Sequence, residues 1–395
     1  MGLIKKLSRP PLSIFLIILA IIISLLLNNF AIASVSNIEF IGQTLLPTGL
    51  TYQKTEIGGL SGITYDNKND LYYAISDDRG EKADPRFYTL KIDLSKGNLT
   101  KDSVVPMKVT TLLNENNRPF PTRSTDTEGI AYSSKQTLFI SSEGDVKRSI
   151  NPFIKEFSLA SGQEITTLPI PDKFLPNQNG TQGIRDNLAF ESLTITPNEK
   201  YLFTANENAL VQDGTVAKTG IGSSCRILQY NLLTKQPEKE FLYQTEPVTS
   251  LFNITGRFAS GLPDILALDN KGNFLSIERS FTGIGFAIFL FHFSLENADD
   301  IHNIKSISAI SHKQIKPVKK KLLLDLRTLD VPLDNIEGLT FGPKLPDGKQ
   351  SLILISDNNF NQLQTTQILA FKVKIQLESP FYRLLRRIRN LPLIR

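Results

Sequence analysis

The chain has 395 residues, an ordinary composition for a soluble globular protein, and a formal net charge of +5. The positive charge lies at the ends: residues 1–33 carry +3 and residues 380–395 carry +5, so the body between them is weakly acidic at −3. Such a body lacks the basic face that nucleic-acid binding needs. A single cysteine excludes an intrachain disulfide and a four-cysteine zinc site, and the three histidines lack the i, i+4 spacing of a helical zinc pair.

The N-terminus has the layout of a secretory signal peptide. Three basic residues precede an apolar run over residues 14–27, and small residues suited to cleavage follow and end at Ala33. The run is shorter than the ~20 residues that a helix needs to span a bilayer. We therefore expect a signal-peptide helix over residues 1–33, with an uncleaved anchor over residues 12–33 as the alternative. Either reading predicts an exported body, periplasmic or extracellular, and an exported chain without disulfides points to a bacterial source.

The body, residues 35–376, alternates short apolar runs with polar turn clusters, which predicts an almost wholly β structure. A strand–turn–strand unit that ends in acids recurs about every 60–75 residues, and a third apolar strand follows in each unit. The units begin near Leu60, Asp126, Asn187, Pro263 and Asn335. Repeats of this length are typical of β-propeller blades, so we predict an all-β propeller of about five to six blades, with Ile38–Leu46 closing the ring. A large sandwich or a β-solenoid is the alternative.

Other segments interrupt or follow the repeats. Three polar stretches, Thr100–Ser124, Pro171–Asp186 and Gln212–Ser224, are predicted to be insertions on one face of the propeller. Residues 377–395 form a basic amphipathic tail, for which we weigh weak contact with a membrane surface against a solvated helix without a role.

Acidic residues recur at matching places in the repeat. The first set, expected to be catalytic, is Glu128, Glu191 and Glu337. The second set, the expected metal ligands, is Asp77, Asp78, Glu143, Glu207, Asp264, Glu278 and Asp357. Equivalent positions of a propeller gather round one axis, where these carboxylates would repel one another unless a cation or arginines compensate. Oxygen ligands without histidine or cysteine favour a hard cation, so Ca²⁺ is the expected cofactor.

Arginines cluster near the same motifs and suit a substrate with anionic oxygens, which a guanidinium binds through two hydrogen bonds. We expect Arg279 to be catalytic. The expected substrate-binding arginines are Arg79, Arg86, Arg123, Arg148 and Arg185. Because no G-x-S-x-G motif is present, metal-assisted attack of water on an ester is favoured over serine hydrolysis, with a carboxylate accepting the proton. For each single acid, a turn-forming role at a strand end is the alternative.

A series of short motifs, spread over about residues 50–373, resembles the phytase-like domain family, which is described by an esterase-like activity. The motifs are Gly59-Leu-Ser-Gly-Ile63, Tyr73-Ala-Ile-Ser-Asp-Asp78, Asp126-Thr-Glu-Gly-Ile130, Asn187-Leu-Ala-Phe-Glu-Ser-Leu193, Thr204-Ala-Asn-Glu-Asn208 and Asn335-Ile-Glu-Gly-Leu-Thr340. The resemblance implies a β-propeller, export, and hydrolysis of phosphate or other esters.

We therefore expect an exported, Ca²⁺-assisted hydrolase that acts on a small-molecule ester and binds no nucleic acid. Two alternatives stay open. One is a propeller that binds a ligand or a protein without catalysis, and the other, less favoured, is a lactonase-type propeller enzyme.

Overall fold

A computed structural model describes most of the chain. The described residues are 32–248, 259–281, 285–310 and 314–378. The predicted signal peptide and basic tail lie almost wholly outside them. Residues Val35–Lys374 form one compact unit, and the other unit is made of the two chain ends. Among the described residues, no helix is long and apolar enough to cross a bilayer.

Five four-stranded sheets form the blades of a β-propeller, which confirms the predicted fold class and makes the number of blades five. The first blade has β4 (Leu60–Asp66), β5 (Leu71–Ser76), β6 (Arg86–Ile92) and β7 (Val104–Thr111). The second has β8 (Thr127–Ser133), β9 (Thr137–Ser142), β10 (Phe153–Ser158) and β11 (Glu164–Leu168). The third has β12 (Thr194–Ile195), β13 (Tyr201–Ala205), β14 (Ser224–Asn231) and β15 (Gln236–Gln244). The fourth has β16 (Ala259–Ala267), β17 (Asn273–Phe281), β18 (Phe286–Ser294) and β19 (Lys319–Asp325).

The fifth blade joins the two ends of the body. It consists of β20 (Ile336–Lys344), β21 (Gln350–Ser356), β22 (Thr366–Glu378) and β1 (Ile32–Leu46), with β1 next to β22. Ser36 Oγ donates to the carbonyl of Lys374 at 3.2 Å. The expected closure by Ile38–Leu46 is thus confirmed, and this pairing covers a sheet edge that would otherwise stay open.

Short elements complete the description. A small hairpin, β2 (Thr51–Tyr52) and β3 (Thr55–Glu56), precedes the first blade, and the connections contain short 3-10 helices. These helices include Val146–Arg148, Asp172–Phe174, Val211–Asp213 and Leu326–Thr328.

One predicted insertion is wrong in part. The segment Thr100–Ser124 contains β7, the outer strand of the first blade. Only Val104 and Thr110 of β7 are buried, so the strand carries no clear apolar alternation. Outer strands of a blade face solvent along most of their length, and the hydrophobic pattern that reveals inner strands is therefore weak in them.

The hydrophobic core lies between the blades. In β5, Tyr72 and Ala74 pack into a cluster shared with the fifth blade, whereas Tyr73 and Ile75 pack into a cluster shared with the second. Successive residues of a strand point to opposite faces of a sheet, so a strand between two neighbouring blades must be apolar on both faces. This requirement explains the continuous apolar runs of the second strands.

The five inner strands come very close together. They contact one another in a closed cycle, β4–β8–β12–β16–β20 and back to β4. A Cβ on Gly62 would lie 2.5 Å from the carbonyl oxygen of Glu128 in the next blade, and a Cβ on Gly129 would lie 2.7 Å from that of Glu191. Glycine is needed at these positions because a neighbouring backbone occupies the space of a side chain.

We therefore expect Gly62→Ala to lower the free energy of unfolding by about 1–3 kcal/mol, because an inner strand must move to accept the methyl group. Urea unfolding followed by circular dichroism would measure this change. Gly285→Ala is the matched control, since a Cβ there meets nothing within 4 Å. An equal effect of the two substitutions would contradict the close contact at the axis.

Candidate functional site

Each blade places one residue of a first ring around the axis, on its inner strand or, for Glu191, just before that strand. The ring consists of Ser61, Glu128, Glu191, Asp264 and Glu337. In four of the five blades the pairing of the first two strands slips at this position, between Leu60 and Gly62 in the first blade and between Ile336 and Gly338 in the fifth. A bulge of this kind re-aims a side chain and twists the strand, which frees it from the regular alternation.

The exits of the second strands supply a second ring, one residue from each blade. It consists of Asp77, Glu143, Glu207, Arg279 and Asp357. The four acids hold equivalent positions because each donates its backbone N–H to the chain just before the first strand of its own blade, at 2.6–3.0 Å. The acceptors are the carbonyl oxygens of Gly59, Asp126, Ala189 and Asn335. The fourth blade departs from this pattern and places a guanidinium among the carboxylates.

Seven of the ten ring residues line a cavity of about 660 Å³; the other three, Ser61, Glu143 and Asp264, do not. Two positions further along the inner strands lies a ring of aliphatic side chains, and these residues line a separate cavity of about 550 Å³ instead. They are Ile63, Ile130, Leu193, Leu266 and Leu339. The aliphatic ring therefore separates the two cavities and places apolar material directly beneath the carboxyl groups, which strengthens the electrostatic interactions among them.

Arg279 is the basic centre of the site. Its Nη2 donates to Glu207 at 2.7 Å, and its Nη1 donates to Asn335 at 2.6 Å and to the carboxylate of Glu337. Its buried Nε–H finds no acceptor in the described chain. One guanidinium thus links the third, fourth and fifth blades across the axis.

A second group of acids lies between the first and second blades. Carboxylate oxygens of Asp77, Asp126 and Glu128 lie within 4.8 Å of one another. Arg79 binds both oxygens of Asp126, each at 2.6 Å. The buried Oδ1 of Asp77 receives no hydrogen bond from a donor group in the described chain and faces the carboxyl of Asp126. Three convergent oxygen ligands, one of them without a donor, fit a hard cation such as Ca²⁺.

Burial and like charges raise the pKa values of these acids. Burial, with the neighbouring carboxylates, raises the pKa of Glu143 to about 8, and burial raises that of Glu337 to about 8 although Arg279 opposes the shift. Burial raises the pKa of Asp357 to about 6, opposed by the backbone N–H of Asn359. The pKa values of Asp77, Glu128 and Glu191 are also well above their ordinary range, through burial first and adjacent carboxylates second. At neutral pH Glu143 and Glu337 therefore keep their protons.

None of the five predicted substrate-binding arginines lines this cavity. Arg86 forms a buried ion pair with Asp78, whose carboxylate also accepts backbone N–H groups of the following loop. Arg185 donates to the carbonyl oxygens of Ala209 and Gly214.

The other two, Arg123 and Arg148, form solvent-exposed pairs with Glu81 and Asp145. The fifth arginine of the predicted set, Arg79, holds Asp126 and the side chain of Asn187 beside the cavity.

Two further predicted metal ligands also have other partners. Glu278 accepts from Tyr243, from the backbone N–H of Glu246 and from Lys320, between the third and fourth blades. Asp264 belongs to the first ring but accepts the backbone N–H of Leu339 at 2.8 Å, so it joins the inner strands of two blades. These two carboxylates, like that of Asp78, stabilise the fold and do not line the cavity.

The structure adds residues that the sequence did not single out. Asp126 completes the three-acid group, and Asn187 and Asn335 line the cavity and bind the two arginines. All three precede a glutamate of the first ring by two to four residues, so the signal was present in the repeat. The sequence alone could not show that these side chains turn toward the axis.

No curated protein matches the chain. An endo-arabinase from Bacteroides thetaiotaomicron is 12% identical, with 83% of this chain and 96% of that chain covered and a TM-score of 0.41. An endo-1,4-beta-xylanase from the same organism is 12% identical, with 82% and 97% covered and a TM-score of 0.41. A putative 6-phosphogluconolactonase from Bacteroides uniformis is 12% identical, with 81% and 88% covered and a TM-score of 0.31. Similarity at these levels has no bearing on activity.

A family model gives the decisive match. The model named Phytase-like, and described as "Esterase-like activity of phytase", matches residues 55–360, which run from the hairpin before the first blade to the loop after β21. The matched span includes every residue of the two rings. The chain therefore belongs to the Phytase-like family.

Proposed function

We propose that the protein is an ester hydrolase whose reaction takes place in the cavity bordered by the two rings. The observation that supports this proposal is the group formed by Arg279, Glu337 and Asp357 in that cavity. Burial gives the two acids different pKa values, about 6 for Asp357 and about 8 for Glu337. Between these values one carboxyl accepts a proton while the other donates one, as general acid–base catalysis requires.

The reaction needs three roles from these residues. A water oxygen attacks the ester carbon, and Asp357 accepts the proton that the water loses. The guanidinium of Arg279 stabilises the negative charge that develops on the ester oxygen. Because protonated Glu337 carries no charge, Glu207 is the one carboxylate that still pairs with Arg279, and the Nη1 end of the guanidinium can bind the ester oxygen. Glu337 then donates its proton to the leaving alcohol oxygen, which releases an alcohol and an acid.

Asp77, Asp126 and Glu128 are the residues that would hold a cation, for which we propose Ca²⁺. When bound, such a cation supplies Lewis-acid polarisation of an ester oxygen. The chain's own contribution is to keep these three carboxylates together, and the two hydrogen bonds from Arg79 fix the orientation of Asp126.

The location of the protein stays a proposal from the sequence. The basic start, apolar run and small residues of residues 1–33 support export to the periplasm or the exterior. Contact between the basic tail, residues 377–395, and anionic lipid is a weaker prediction on the same footing.

The acid and base roles predict a bell-shaped dependence of kcat/KM on pH. The rate should fall below about pH 6, where Asp357 becomes protonated, and above about pH 8, where Glu337 loses its proton. Initial rates with a chromogenic ester between pH 4 and 10 would test this. A profile that is flat from pH 5 to 9 would argue against both assignments.

Substitution of single acids tests the roles of Asp357 and Glu337 against an exposed control. Asp357→Asn and Glu337→Gln should each lower kcat about 10²–10⁴-fold, because each removes one proton-transfer group while keeping its shape. Asp347→Asn, at an exposed carboxylate paired with lysines, is the control and should keep full activity. If both site variants retain activity, the reaction does not use these groups.

Cation binding can also be measured through the melting temperature of the protein. With chelator present, the melting temperature should fall as pH rises from about 5 to 8, because the folded protein keeps protons on Glu143 and Glu337 that the unfolded chain releases near its ordinary pKa of 4.5. Calcium at about 100 times its Kd should then add roughly 2.7 kcal/mol.

Differential scanning fluorimetry would follow both effects. Asp77→Asn and Glu128→Gln should remove the calcium response. An unchanged melting temperature in calcium at all pH values would contradict the cation site, whereas stabilisation without hydrolysis of any ester would favour the non-catalytic binding propeller.

A further inference from the structure

We propose that the substrate is an uncharged ester with an apolar acyl or alkyl group, and that phosphate monoesters and inositol polyphosphates are poor substrates. This inference rests on the proposed ester hydrolysis and narrows it to one substrate class. Two features carry it: the charge of the cavity and the apolar side chains at its rim.

The cavity is lined by seven carboxyl groups and one basic side chain among the described residues. The acids are Asp77, Glu128, Glu191, Glu207, Asp334, Glu337 and Asp357. The basic residue is Arg279, which pairs with Glu207 and contacts the carboxyl group of Glu337. Even with Glu337 protonated, the other acids of this lining outnumber its one guanidinium, so a phosphate dianion would meet groups of its own sign, and such a contact costs free energy in a poorly solvated site.

Neither the other arginines nor a cation changes the sign of this charge. Arg79 gives both hydrogen bonds of its fork to Asp126. The remaining arginines near the motifs bind acids or carbonyl oxygens outside the cavity, as described above. A single divalent cation on Asp77, Asp126 and Glu128 would, together with Arg79, balance these three carboxylates, and the other acids of the cavity would still outnumber Arg279.

The rim of the same cavity is apolar on one side. Leu363 is 93% exposed, and it lines the cavity together with Leu188, Leu333, Phe281 and Phe286. The rings of Phe281 and Phe286 lie 5.4 Å apart. Apolar walls with a few convergent polar groups are typical of sites for small organic ligands.

The loop that carries Leu363 is held in place by side chains. Asn361 accepts the backbone N–H of Leu363 at 3.0 Å, and Asp334 accepts that of Thr365 at 2.7 Å. Thr48 donates to the carbonyl of Gln364 at 2.5 Å. A leucine that stays exposed on a fixed loop beside the cavity is suited to cover the apolar part of an ester.

The chemistry is that of a carboxylic ester. The acyl C–O bond breaks, a new C–O bond forms from water, and the water's two hydrogens end on the alcohol and on the acid.

Matched substrates isolate the effect of charge. We would measure kcat/KM of the full mature chain, with and without calcium, on p-nitrophenyl butyrate and p-nitrophenyl hemisuccinate, which differ mainly in a terminal carboxylate. p-Nitrophenyl phosphate and inositol hexakisphosphate are the phosphate arms. We expect the butyrate to be favoured over the hemisuccinate by at least tenfold, and over both phosphates by more.

Leu363→Ser tests the rim. It should lower the preference for butyrate over acetate by about 3–10-fold, through KM, because it removes an apolar contact with the longer chain. Leu233→Ser is the matched control, since Leu233 is 92% exposed in the turn between β14 and β15 and does not line the cavity.

The outcomes separate the two proposals. A phosphate or the hemisuccinate turned over as fast as the butyrate would overturn the substrate class and leave ester hydrolysis standing. An identical chain-length preference in the Leu363 and Leu233 variants would overturn the role of the rim. No hydrolysis of any of these esters, in either condition, would overturn the proposed function and this inference with it.

Discussion

A ring of carboxyl groups around one guanidinium is the constraint on which the rest of this structure depends. Acids from all five blades approach the axis, and Arg279 is the one basic side chain among the described residues that line their cavity. Like charges at such distances in a dry site repel strongly. The protein reduces this repulsion with the ion pairs of Arg279, with protons on raised-pKa acids, and with backbone N–H groups that point at Asp264 and Asp357. Raised pKa values of the kind that remain here cluster at functional sites.

The propeller keeps these acids together because its stability comes from elsewhere. Apolar clusters between neighbouring blades hold the sheets, and β1 closes the last blade with the start of the body. At the axis, glycines such as Gly62 and Gly129 let the inner strands touch backbone to backbone. The charged side chains therefore project from a frame that their mutual repulsion cannot easily open, as a preorganised site requires.

The aliphatic ring below the carboxyl groups gives the site one apolar end. It ends the cavity with Ile63, Ile130 and their equivalents, so that the acids lie between an apolar floor and a rim that is half amide and half apolar. In such surroundings small differences in hydrogen bonding separate the pKa values of acids that share one ring. Asp357, with a backbone donor, stays nearer to its ordinary pKa than Glu337 does. Environment, more than residue type, separates the acid and base roles that we propose.

Much of this architecture could be predicted from the sequence, because the repeat is local. Apolar runs indicate the second strands, and acids follow these strands at constant offsets. The blades, the ring closure and most members of both rings could therefore be predicted. The outer strand β7 could not, because an edge strand facing solvent has little apolar alternation. Nor could the partners of the arginines: Arg86 and Arg79 stand seven positions apart, yet the first is buried against Asp78 and the second binds Asp126 in the next blade.

The sequence by itself determined the repeat, the all-β class and the kind of chemistry that carboxylates without histidine can perform. Only the tertiary structure decided which acids share a cavity, that Asp126 joins Asp77 and Glu128, and that most of the arginines lie elsewhere. The physical reason is that a β-bulge changes the direction of a side chain without leaving a mark in the hydrophobic pattern. Contacts across the axis, moreover, join residues from different blades, such as Arg279 and Glu337, which no local periodicity relates.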